Sequence, residues 1–472
     1  MPTFKILPVR LSLLAAPLLL AGCASLGGNG GIAPVQDAAR THLGASLVAA
    51  ATDQDLDRID QRVGELLARP LSADSAVQIA LLNNRGLQAS LQALGVAEAE
   101  MVQASRLPNP GFSIARLRRG DEREIERGFS FDLGHLVTLP LARELEGRRF
   151  AAIQRSVAME MLSLAAETRK AFYVAVAAEQ TAGYMRDVRA SADAGAELAK
   201  RLAQAGNWTR LQQAREHGFF SEAVLNLARA ETARVVARER LTRLLGLWGA
   251  QAGFTLPDRL PDLPAEPQDQ PDIEQVAMAS RLDVQAAKAS VEATARSLGL
   301  SKVTRFINVL ELGIQRNTSN EAPRQTGYEL GVEIPLFDWG DARIARAEGL
   351  YMQSVHRAAQ TAVDARSEVR EAYQGYRSAY DIARHYRDDI VPTAKRVSDE
   401  NLLRYNGMFI GVFELLADAR AQIAAVNGAI EALRDFWVAR SDLDMALVGK
   451  PGLGGGGPAA SVAGTGGAAP AH

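Results

Sequence analysis

The chain has 472 residues, with 53 Lys and Arg against 55 Asp and Glu and a single cysteine. A near-neutral balance without a basic stripe offers no footprint for nucleic acid, and one cysteine leaves no intrachain disulfide. Gly and Pro gather at the ends and at a few breaks, so long Ala-, Leu-, Arg- and Glu-rich stretches of helical character dominate.

At the N-terminus, Lys5 and Arg10 precede an apolar run from Leu11 to Leu20, and Leu20-Ala21-Gly22-Cys23 follows. This order of charge, apolar core and small-residue site resembles a bacterial lipoprotein signal. The resemblance implies removal of residues 1–22 and lipidation of Cys23. Ala24, in place of an aspartate, implies sorting to the outer membrane. Removing Lys5 and Arg10 takes 53 basic residues to 51 against 55 acidic, a mature net charge of −4. No apolar run of helix-spanning length follows, so any membrane crossing must be made by a β-barrel.

Residues 23–71 form a less regular lipidated segment. Two repeats offset by about 200 residues follow, 72–249 and 272–448, joined by a connector at 250–271 that carries Pro257, Pro261, Pro264, Pro267 and Pro271. Each repeat reads as helix, strand pair, proline, long helix, glycine turn and returning helix. The spacing predicts strands at about 111–118, 127–137, 306–316 and 326–335. In the last, Tyr328, Leu330, Val332 and Ile334 point one way while Glu329, Gly331 and Glu333 point the other. Pro140 and Pro335 are the expected strand ends.

The helices from Leu141 to Ala205 and from Asp341 to Tyr405 are 65 residues each, roughly 100 Å at 1.5 Å per residue. Val369, Tyr373, Tyr376 and Tyr380 form an apolar seam for an antiparallel partner helix. Pro392 should kink the second rod. The rods end at Gly206-Asn207 and Asn406-Gly407, where glycine allows the left-handed backbone of a tight turn. The tail 449–472, rich in Gly and Ala, reads as disordered.

The fold class is therefore mainly α with a small β part. Four strands cannot close a barrel, and eight from two chains would leave an interior filled by side chains, so three chains and twelve strands are the smallest open conduit. Chemistry is not visible: His42, His135, His217, His356, His385 and His472 are scattered without zinc spacing, and the glycines at 452–457 follow no strand and open no helix. Neither an enzymatic activity nor a cofactor is called for.

Lipidated Cys23, the duplicated units, the junction IPLFDWG (334–340) and the turn RYNGMFIGVFELLADAR (404–420) together resemble the TolC family of outer-membrane efflux proteins. The first repeat is more divergent, with FDLGHLVTLPLARELEG (131–147) at the matching place. The resemblance implies a homotrimer whose twelve-stranded barrel in the outer-membrane lipid continues as a periplasmic helical tunnel. It implies partners as well: a periplasmic adaptor (membrane fusion) protein and an inner-membrane pump, docking at Gly206, Asn207, Asn406 and Gly407. Carboxylates opening the returning helix ring the narrowest point in this family. Glu414 matches the first, while Ala417 falls at the place of the second and Asp418 one later. A solvated outer face is the alternative for Glu414 and Asp418, and a lipid-anchored coiled-coil spacer or adhesin without a pore is the alternative for the whole chain.

Overall fold

The computed structural model describes Gly27 and residues 30–269, 271–303, 310–332, 337 and 339–451. Within them the side chains of residues 137, 300, 303, 310, 412–414 and 416 lie outside the description. Cys23 with the signal segment, residues 304–309 and 333–336, and the tail beyond 451 also lie outside it.

The chain runs α1 (Ala33–Leu43), α2 (Asp53–Leu67), α3 (Ala73–Asn83), α4 (Arg85–Ala104), β1 (Gly111–Arg119), β2 (Glu122–Asp132), α5 (Leu133–Gln204) and α6 (Arg210–Leu245). The second repeat gives α7 (Ile273–Ser280), α8 (Leu282–Val303), β3 (Leu310–Ser319), β4 (Gln325–Val332), α9 (Asp341–His385), α10 (Val391–Asn406) and α11 (Val412–Val448). The stretch expected to be less regular thus contains α1 and α2. Thr52 caps α2 through a reciprocal pair with Asp55, and Ile59 and Val63 enter the core.

α5 is one helix of 72 residues, about 110 Å at 1.5 Å per residue. α4 packs on its upper part and α6, half its length, on its lower part; α8 and α11 repeat this along α9 and α10. The strand before α5 ends sooner than the sequence suggests. The Asp132 side chain accepts from the His135 N–H and caps the helix, so β2 spans 122–132 rather than 127–137 and Pro140 lies inside the first turns of α5. A carboxylate at the N-cap satisfies an otherwise unpaired amide, which stops the strand before the proline is reached.

The second rod, expected to kink at Pro392, changes its hydrogen-bond pattern just before that proline. Lacking an N–H, and with its ring against the carbonyl four residues back, it cannot continue the ordinary ladder. Tyr386–Ile390 form a π turn between α9 and α10. There the backbone of Gly428 on α11 comes so close that a Cβ would lie 2.6 Å from the Tyr386 hydroxyl.

The seam on α9 meets α11. Val369, Tyr376 and Tyr380 are buried with Ala432, Phe436 and Leu443, and the rings of Tyr376 and Phe436 lie 5.6 Å apart. Around mid-height, Leu71, Ile79, Phe172, Val176, Leu241 and Phe254 form the largest cluster, and Ile430 of the other repeat joins it. The two repeats are therefore held by one core.

Each repeat also carries a side-chain pin at a helix kink. In the first, Asn83 Nδ2 donates to the carbonyls of Leu245 (3.2 Å) and Gly246 (2.8 Å), and Asn84 Nδ2 to that of Leu244 (3.0 Å). In the second, Ser280 donates to the Leu447 carbonyl (2.8 Å) and Arg281 to that of Ala446 (3.2 Å). The last carbonyls of a helix have no partner within it, so each returning helix has its end tied to the kink between the two short helices of its own repeat.

Candidate functional site

The sheet has the order β1-β2-β3-β4, antiparallel throughout. A two-residue connection at Gly120-Asp121, with Gly120 at φ 62°, joins β1 to β2, and the helices all lie at the opposite end. Among the described residues, β1 and β4 have unpaired outer edges, an arrangement that invites pairing with further copies.

Register sorts the side chains into two unlike faces. Phe112 lies opposite Phe129, Phe129 opposite Ile314, and Ile314 opposite Tyr328; one step toward the helices, Phe131, Leu312 and Leu330 form a second apolar row. Among the described residues the other face carries Glu122, Glu124, Glu126, Asp132, Glu311 and Glu329 among Gly, Ser, Gln and Asn, with Arg119 as its single cation and Ala115 and Leu117 as apolar exceptions. Gly313 sits beside Glu329, whose carboxylate accepts from Gln315 Nε2 at 2.5 Å. Such a sheet suits lipid on one side and water with cations on the other.

At the far end of the rods the two turns have the same hydrogen bonds but not the alignment expected. In the first, Gly206 N–H donates to the Ala203 carbonyl and Asn207 N–H to that of Leu202, with Gly206 at φ 78°. In the second, Met408 N–H donates to the Tyr405 carbonyl and Phe409 N–H to that of Arg404, and it is Met408 that takes φ 62°. Gly407 has φ −81° and needs no left-handed freedom. A Cβ there would instead meet the Phe409 ring at 2.8 Å. The expectation that glycine supplies the left-handed residue holds at Gly206 and fails at Gly407, because the second turn closes one residue later. Met408 and Phe409 are exposed at this tip.

Glu414 lies in the first turn of α11, and its side chain is among those outside the description. Asp418, one helical turn on, is half-buried and accepts from Asn401 Nδ2 of α10. It thereby ties the two arms of its own hairpin. A link that sequence reasoning missed joins the two hairpins: Arg420 Nη2 lies 3.1 Å from Glu216 Oε1 on α6, and its guanidinium stacks 4.3 Å over the Phe219 ring. Glu216 is 2 % exposed. No local spacing signals a pair separated by 204 residues.

No helix among the described residues is long and apolar enough to cross a membrane. Three or more His, Cys, Asp or Glu do not converge on a metal-sized space among them either.

No protein-family model matches the chain. It is 27% identical over 286 residues to the cobalt-zinc-cadmium resistance protein CzcC of Cupriavidus metallidurans, a match covering 57% of this chain and 63% of that one. The chain thus spans less than two thirds of the length of this curated relative. Among solved structures it superposes on CusC with a TM-score of 0.65, at 18% identity over 83% of this chain and 92% of that one. It superposes on the CmeC outer membrane channel of Campylobacter jejuni with a TM-score of 0.69, at 14% identity over 85% and 89%. The fold is that of the TolC-type outer-membrane efflux channels.

Proposed function

We propose that this chain is one protomer of a homotrimeric exit duct in the outer membrane of a Gram-negative bacterium, anchored through lipidated Cys23. The twelve strands of three copies would form the barrel, and the rods a tunnel reaching toward a periplasmic adaptor and an inner-membrane pump. The observation that carries this reading is the four-stranded sheet, which has two open edges, an apolar face and a carboxylate-bearing face. A coiled-coil spacer or adhesin has no use for such a sheet.

Inorganic cations are the proposed cargo. The relative CzcC is a cobalt-zinc-cadmium resistance protein, and six carboxylates against one arginine on the water-side face would favour cation passage. Glu414 is the proposed gate residue, since three copies around a narrow axis repel one another and attract cations. Asp418, engaged by Asn401, would hold the hairpin arm that presents it. The turns at Gly206, Asn207, Asn406 and Gly407 would dock the adaptor, being farthest from the barrel.

Reversal-potential measurement on the purified protein in a planar bilayer tests this. The expected result is a cation-selective conductance from a species of trimer mass, with reduced selectivity in Glu124→Gln/Glu126→Gln and weaker block by multivalent cations in Glu414→Ala. A monomer in mild detergent that passes no current would refute the duct.

A further inference from the structure

Above its apolar rows, the face opposite the carboxylates changes character abruptly. Two residues farther from the helices than Phe129 and Ile314 stand Arg127 and Arg316, directly opposite each other. One row higher is Arg116, opposite Ile125, and at the hairpin end Arg118 stands directly opposite Arg123. Among the described residues this face bears five arginines and no carboxylate, and none of the five forms an ion pair with a described residue.

Like charges directly opposite on neighbouring strands are about 5 Å apart at Cβ and destabilise the pairing. Two such pairs on one face, when carboxylates are plentiful on the other, imply an anion supplied from outside the chain. The register makes the position of that anion specific. At about 3.4 Å per residue, Arg127 and Arg316 lie only about 7 Å beyond the last full apolar row, as the first charged row above it. Guanidinium is planar, keeps its charge, and binds phosphate oxygens in pairs.

We propose that Arg116, Arg127 and Arg316, continued upward by Arg118 and Arg123, form a girdle that binds the phosphate groups of outer-leaflet lipid, three copies per trimer. Phosphate seated between the opposed guanidiniums relieves their repulsion and fixes the height of the barrel in the membrane. This rests on the reading of the sheet as a membrane barrel, with its hairpin end outward. Arg118 also donates to the Gly120 carbonyl at 3.1 Å and Arg127 to Thr318 Oγ1 at 3.5 Å; the three lower arginines, nearest the apolar rows, form the core of the site.

The full-length trimer and its Arg116→Gln/Arg127→Gln/Arg316→Gln variant are reconstituted into phosphatidylcholine vesicles doped with bis-phosphorylated lipid A or its dephosphorylated form, re-extracted, and assayed by native mass spectrometry for bound lipid. Phosphorylated lipid A should be retained about tenfold better by the wild-type trimer than by the variant. The dephosphorylated lipid should show no difference, and millimolar inorganic phosphate should not displace the bound lipid. Equal retention by both proteins overturns the girdle, and so does displacement by inorganic phosphate, which would indicate a free-anion site. Bilayer conductance of the same samples separates the two readings. A conducting variant with unchanged lipid retention refutes the girdle alone, whereas wild-type protein that neither trimerises nor conducts refutes the barrel itself and the girdle with it.

Discussion

Replacing Arg281 with Met should loosen the end of α11 far more than an ordinary surface change. The guanidinium is 1 % exposed and uses most of its donors: Nε and Nη2 reach the two oxygens of Asp283 at 3.0 and 2.6 Å, and Nη2 also reaches Glu368 at 2.6 Å. Nη1 reaches the carbonyls of Ala446 and Ala365 at 3.2 and 3.4 Å. Burial pushes its pKa down, but the hydrogen bonds it donates to Asp283 and Glu368 outweigh that and leave it raised, so the cation is retained. Truncating one partner of a buried pair typically costs about 3–5 kcal/mol, because the charges left behind are uncompensated. Asp283 and Glu368 keep 16% and 22% side-chain exposure and can partly rehydrate, which places the loss near the lower end, about 3 kcal/mol. That is roughly a hundredfold in an opening equilibrium. Amide hydrogen exchange at Ala446 to Val448, with urea unfolding in detergent, should show it. Arg281→Met/Asp283→Asn/Glu368→Gln should recover most of the loss, since no charge is stranded. A single variant within about 1 kcal/mol of wild type would refute the pin, as would a triple variant no better than the single one.

Gly246→Ala should destabilise by about 2 kcal/mol or more, because φ is 68° and the new Cβ would lie 2.6 Å from the Asn83 carbonyl oxygen; Gly44→Ala, at φ 61° in open space, should cost only about 1 kcal/mol in the same urea titration. At the tips, Gly206→Val should impair export and adaptor cross-linking, whereas Gly407→Ala should be mild, since its backbone is ordinary and only the exposed Phe409 ring must move. Arg420→Ala strands the buried Glu216 carboxylate, so protease cleavage between the hairpins and open probability in bilayers should both rise. Lys170 has its pKa pushed down by burial and raised overall by Glu167 and Asp442. A folded pKa above the unfolded one gives stability that is complete below the ordinary lysine value and lost as pH rises through the folded value. Alkaline titration above about pH 10.5 should therefore melt the wild type progressively and change Lys170→Met little.

Periodic features are legible in the amino-acid order alone. The long rods, the seam from Val369 to Tyr380, the alternation of Tyr328 to Val332 and the strand-pair repeats are all written within short windows, because a helix or a half-buried strand must repeat its apolar positions at its own period. Tertiary structure decided what depends on residues far apart. The end of β2 is set by the Asp132 cap although Pro140 is the louder local signal, and the second tip takes its left-handed backbone at Met408 rather than at Gly407. Arg281 against Ala446 and Arg420 against Glu216 are separated by 165 and 204 residues, so nothing in either neighbourhood announces them. Alternation within one strand is legible, but the pairing of Arg127 with Arg316 is not: only the register between β2 and β3, strands from different repeats, gathers the arginines on one face and the carboxylates on the other.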